Sequence, residues 1–138
     1  MKRNLLISAL GNAASDRGYD FICAHSIGIA AKMPSVPAAW LTPPKLISVQ
    51  GRVERRDTYR ISLRLLNKSI VMGGGSLNEA LDVMEQDADN IISALRDAVN
   101  VRRVFGVKYV PEQDVWTRNG GHALLVEFDV ELFYILNS

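Results

Sequence analysis

The chain has 138 residues, enough to bury a core without disulfides or metals, which predicts a single domain over residues 1–138. With 16 Lys and Arg against 15 Asp and Glu, it carries no overall field to hold a nucleic-acid backbone or an anionic membrane, so electrostatic recognition must come from local patches. A lone cysteine, Cys23 in the apolar run Phe21-Ile22-Cys23-Ala24, excludes a disulfide scaffold and a cysteine-based zinc site, and reads as a small buried hydrophobe.

Leu5, Leu6, Ala9, Leu10 and Ala13 recur at helical spacing and predict a first helix ending around Asp16 to Gly18. The opening Met1-Lys2-Arg3 and the apolar residues after it have the look of a signal peptide. Ser8, Gly11 and Asn12 interrupt that stretch, and its spacing suits one helix face, so it is read as retained structure. Tyr19 to His25 has strand composition. Ser26 to Pro37 loses any period while staying apolar, and Ile27, Ile29, Met33 and Val36 in it suggest a loop made for a neighbour.

Ala38 to Gln50 is expected to be extended but broken by Pro43-Pro44, hence an edge or bulged strand. Gly51 to Asp57 reads as a charged hairpin connection. Thr58 to Asn67 alternates cleanly, with Tyr59, Ile61, Leu63 and Leu65 on one face and Arg60, Ser62 and Arg64 on the other. Ser76-Leu77-Asn78-Glu79 has the form of a capping box opening a long helix. Its apolar stripe runs through Leu77, Ala80, Leu81, Met84, Ala88, Ile91, Ile92, Leu95 and Val99. Val101 to Val110 predicts a strand closed by Pro111. Asp114 to Arg118 predicts a short partner ending at the Asn119-Gly120-Gly121 turn. In the last strand, Leu124, Val126, Phe128, Val130 and Leu132 alternate with Leu125, Glu127, Asp129, Glu131 and Phe133. The expected fold class is α+β: an antiparallel or mixed sheet packed on one side by the long helix, plus a short N-terminal helix. The interrupted apolar region from Phe21 to Ile47 is too broken to cross a membrane.

No motif supplies a catalytic centre, so the expectation is a structural or binding subunit with no catalytic, cofactor-binding or metal-ligating residues. Gly73-Gly74-Gly75-Ser76 precedes a helix, as phosphate-cradling loops do, yet Leu77-Asn78 stands where a P-loop requires Lys-Ser/Thr. Asp82, Glu85 and Asp89 share helical spacing but read as a solvated face. His25 and His122 lie on separate elements with no metal-pair spacing.

The strand charges pose a sharper alternative. Arg60 and Arg64 face outward on one strand, and Glu127, Asp129 and Glu131 on another. If the strands are neighbours, the charges pair within the molecule. If they are not, the chain displays complementary stripes suited to head-to-tail association. Arg52, Arg55, Arg56, Arg102 and Arg103 form a further candidate basic patch, without the interleaved aromatics that stack bases; contact with packaged DNA would be through charge alone.

The N-terminal helix, the Pro37-Ala38-Ala39-Trp40-Leu41 run and the Gly51 hairpin with its Tyr59 to Leu66 strand resemble one family in order and texture, together with the Ser76-capped helix and the closing Leu124 to Phe133 strand. The family is the phage tail terminator and tail completion proteins of the minor tail protein U type, and the likeness spans most of the chain. It implies a virion subunit, made in the host cytoplasm, that forms a homo-oligomeric ring, commonly a hexamer, on the end of the tail tube. Such a ring stops tube growth, joins tail to head through neck and connector proteins, and needs no cofactor. The triple glycine before the long helix departs from that pattern. Interface candidates are Ile29 and Met33 in the loop, Arg52, Arg55 and Arg56 at the hairpin, Arg60 and Arg64, and Glu127 and Asp129. The rival readings are a head-completion or neck adaptor, and a small-molecule or nucleotide-binding domain using Gly73 to Ser76 with His25 or His122.

Overall fold

A computed structural model of the chain describes residues 2–25, 37–66, 77–113 and 122–135. Helix α1 (Lys2–Asp16) buries Leu6, Leu10, Ala13 and Ala14. It stops at Gly18, whose φ of +85° only glycine adopts without strain. The Gly18 amide donates to the Ser15 carbonyl and the Tyr19 amide to the Ala14 carbonyl, the paired bonds of a Schellman cap.

The chain then enters β1 (Asp20–Cys23), which lies parallel to β2 (Ala38–Leu41). Pro43-Pro44 separates β2 from β3 (Lys45–Gln50), and both run antiparallel to one long strand, β4 (Glu54–Leu66). The Thr42 amide still donates to the Ser62 carbonyl at 3.0 Å, so β2 and β3 behave as one strand interrupted where proline cannot donate. The ladder to β3 is irregular between Leu46 and Ser48.

Helix α2 (Leu77–Arg96) leads to β5 (Val101–Gln113) and β6 (His122–Ile135). β6 pairs along the whole of β4, and β5 flanks it as the outer strand, so the order is β1-β2-β4-β6-β5 with β3 beside the first half of β4. This is the expected α+β architecture with a mixed sheet.

Both helices pack on one face of the sheet. Leu6, Leu10, Met84, Ala88, Ile91 and Leu95 meet Tyr59, Ile61, Leu63 and Leu65 of β4 and Leu124, Val126, Phe128 and Val130 of β6 in a single buried cluster. The alternation read from β4 and β6 is therefore the inside-outside pattern of the fold. On the other face Ala38, Trp40, Leu66 and Ala123 form a smaller apolar cluster at one end. There the Trp40 indole donates to the Ala24 carbonyl at 2.8 Å, and Arg64 lies over the Trp40 ring.

Two boundaries differ from expectation. Strand structure resumes at Glu54, so Arg55, Arg56 and Asp57 belong to β4 and the hairpin is short, because β6 offers pairing partners as far as Ile135. β5 continues through Pro111 to Gln113, since an edge strand tolerates a residue with no amide donor. The Ser26–Val36 loop, the glycines and Ser76 of the capping box, and the Asp114–Gly121 segment lie outside the described residues.

Candidate functional site

Even-numbered residues of β4 and odd-numbered residues of β6 point away from the helices, which sets the composition of the open face. Register brings Arg60 opposite Asp129, Ser62 opposite Glu127 and Thr58 opposite Glu131. The two charge stripes are thus on adjacent strands and pair within the molecule. Arg60 donates to Asp129 at 3.1 Å, and that carboxylate pushes the guanidinium's pKa further up. Arg64 instead reaches past β6 to Glu112 of β5, at 2.9 Å. Glu127 faces Lys108 of β5 in register.

β5 adds what the sequence could not place. Its irregular start carries Arg102 and Arg103 to Glu131, at 3.4 and 3.7 Å, with Arg103 also over the Phe105 ring. With β3 as the opposite wall, these residues enclose a concavity of about 530 Å³ across β3, β4, β6 and β5. Arg56 lines it from the floor, beside Thr58, Ser48 and Gln50. Arg56 makes no ion pair among the described residues. Of the five arginines read as a candidate patch, Arg56, Arg102 and Arg103 come together here. Arg52 stands on the exposed hairpin, and Arg55 turns to the helix side. Ile29 and Met33 lie outside the described residues.

Arg55 belongs to a cluster that anchors α1. Asp57 is fully buried on the helix side, and it accepts from Lys2 at 2.7 Å, from Tyr134 Oη at 2.5 Å and from Arg55 at 3.2 Å. Lys2 also donates to Tyr134. Burial pushes the Asp57 carboxyl up, but the hydrogen bonds from Lys2 and Tyr134, the Lys2 charge and Arg55 outweigh it and hold the pKa below the usual range. The bond to Asp57 raises the Lys2 pKa in turn. Sequence reading missed this group by assigning Asp57 to a turn. Continuing the β4 alternation back two residues from Tyr59 puts a carboxylate on the buried face, which demands partners.

Other candidates scatter. Burial pushes the Cys23 thiol up, against thiolate chemistry. His25 follows β1 and His122 begins β6, with β2 and β4 between those strands. Tyr109 donates to Asp89 and Tyr19 to Asp87 (2.6 Å); burial first, then these carboxylates, raise both phenols. Among the described residues no three His, Cys, Asp or Glu side chains gather to hold a metal, and no helix is long and apolar enough to cross a membrane.

The remaining feature is an edge. β3 pairs only with β4 among the described residues, and Leu46, Ile47 and Val49 on it, with Val53 in the hairpin, are exposed. Compared with known protein families and curated proteins, the chain matches no family model and no curated sequence.

Proposed function

We propose that this chain is a structural virion subunit that assembles with copies of itself at the end of a phage tail tube, ending tube growth and joining tail to head through neck and connector proteins. The family reading comes from the order and texture of the elements in the sequence. The observation that carries it is the β3 edge. Leu46, Ile47, Val49 and Val53 expose apolar surface along a strand whose outer backbone groups have no partner among the described residues. A strand of this kind, KLISVQ with one charge in six residues, invites pairing or packing by another chain. A subunit completed by its neighbours accounts for the exposed Leu46, Ile47, Val49 and Val53, since Pro43-Pro44, Lys45 and the irregularity before Ser48 blunt only the first half of the strand.

Light scattering on the purified protein, with electron microscopy of negatively stained particles, tests the proposal. The expected result is a concentration-dependent closed oligomer, ring-shaped in projection, which Val49→Lys weakens. A strict monomer at millimolar concentration that also fails to assemble on isolated tail tubes would refute it.

A further inference from the structure

The open-face groove holds more positive charge than its own carboxylates balance. Asp129 is engaged by Arg60 at 3.1 Å, and Glu131 is shared between Arg102 and Arg103 at 3.4 and 3.7 Å. Arg56 has no acidic partner among the described residues. Arg102 and Arg103 share the one Glu131 carboxylate and are 51% and 59% exposed at the side chain, so an incoming anion can reach both while they hold Glu131.

The chain as a whole is nearly neutral, at +1, so this surplus is matched elsewhere. It is matched on α2. From Leu77 to Leu95 that helix contains Glu79, Asp82, Glu85, Asp87 and Asp89 and no Lys or Arg. Its buried line is Ala80, Met84, Ala88, Ile91 and Leu95, while Asp82, Gln86, Asp89 and Ser93 lie exposed on the opposite line. Asp82 and Glu85 make no ion pair among the described residues. The two surfaces lie on opposite sides of the molecule, since α2 covers one face of the sheet and the groove is cut into the other.

We propose that the groove receives the acidic outer face of α2 from a second copy of this chain, so that copies stack head to tail, helix face into sheet face. The proposal rests on the assembly reading above and adds the two surfaces that meet. The dimensions agree. Strands β3, β4, β6 and β5 at about 4.8 Å spacing span about 14 Å, and a helix with its side chains is about 10–12 Å across. The groove wall also contains Ile47, so an occupant covers part of the apolar β3 edge. Because groove and helix are different surfaces, a docked pair still has one groove and one helix face unused, and association continues, ending only where the rotation between copies closes a ring. A nucleic-acid backbone suits the groove less, because Asp129 and Glu131 in it repel a continuous line of phosphates.

Two charge-reversed variants test this, each changing side chains outside the core: Arg102→Glu with Arg103→Glu on the groove, and Asp82→Arg with Glu85→Arg on the helix. Circular dichroism and urea titration establish that both are folded. By sedimentation equilibrium, each variant alone should self-associate about a hundredfold more weakly than wild type, the scale expected when like charges are forced together in an interface. An equimolar mixture should reassemble, because each variant supplies the charge the other lacks. Wild-type association should also weaken between about 50 mM and about 500 mM salt, as screening predicts. If wild type assembles and neither variant changes its affinity, the docking proposal fails while the assembly reading stands. If wild type stays monomeric throughout and does not assemble on isolated tail tubes, the assembly reading itself fails. Duplex DNA binding measured by fluorescence anisotropy, lost in the groove variant while self-association is unchanged, would overturn the proposal in favour of a nucleic-acid site.

Discussion

Replacing Asp57 by alanine removes the acceptor on which Lys2, Arg55 and Tyr134 converge. Deleting one partner of a fully buried ion pair costs about 3–5 kcal/mol, most of it from the charge left stranded. Here the stranded cations are not sealed in, since the Lys2 and Arg55 side chains are 35% and 25% exposed and can regain water. The expected cost is therefore nearer about 2 kcal/mol, the loss of charged hydrogen bonds without full desolvation of what remains. For a chain of this length that lowers Tm by about 6–10 °C.

Asp57→Asn, which keeps the shape and one acceptor, should lose about half as much. Because the fold holds the Asp57 pKa below its unfolded value, the unfolded chain binds a proton that the native chain does not in the interval between them, and stability rises with pH there. The wild-type advantage over Asp57→Asn should be complete above the unfolded value of about 3.9, and should vanish as pH falls through the lower folded value. Urea titrations of the three proteins across that range measure it. A loss under about 0.5 kcal/mol for the alanine variant at neutral pH, or a difference that persists unchanged to about pH 2, would refute the reasoning.

Three further substitutions separate the effects at work elsewhere. Gly51→Ala should destabilise by about 1–3 kcal/mol in thermal melts, because the residue has φ +86° and a Cβ would lie 2.0 Å from the Glu54 carbonyl oxygen. Phe128→Ala, in the middle of the helix-side core at 2% exposure, should cost about 3–5 kcal/mol in urea. Arg60→Ala should leave the thermal melt almost unmoved despite its 3.1 Å contact, because an exposed pair gains little over water, and added salt should erase whatever difference there is.

Local rules were enough where the residue pattern alone decides the outcome. Tyr59, Ile61, Leu63 and Leu65 alternate with Arg60, Ser62 and Arg64, and that period has one solution when a single face is buried. The α2 stripe from Ala80 to Leu95 and the glycine stop of α1 are legible for the same reason, whereas Val99, counted in that stripe, lies beyond the helix end at Arg96 and is exposed. What was not legible is pairing between distant strands. Whether Arg60 meets Asp129 depends on β4 lying beside β6, and neither strand states its neighbour. The groove needed one step more, because Arg102 and Arg103 reach Glu131 only after an irregularity in β5 that no sequence rule foretold. Asp57 was misread because a charged run next to a glycine resembles a turn, and only the length of β6 shows that β4 begins earlier.

The interior position of β6 bears on how the polypeptide is made. β4 gains its partner along one whole flank only when residues 122–135 have left the ribosome, long after β2 and β3 have emerged to line the other. Throughout that interval the nascent chain carries Ile61, Leu63 and Leu65 on a strand with an open side, the condition under which holdase chaperones engage and stalled products clump. A pairing of such wide separation in sequence also carries a loop-closure cost that is met before any of its contacts form, which slows folding.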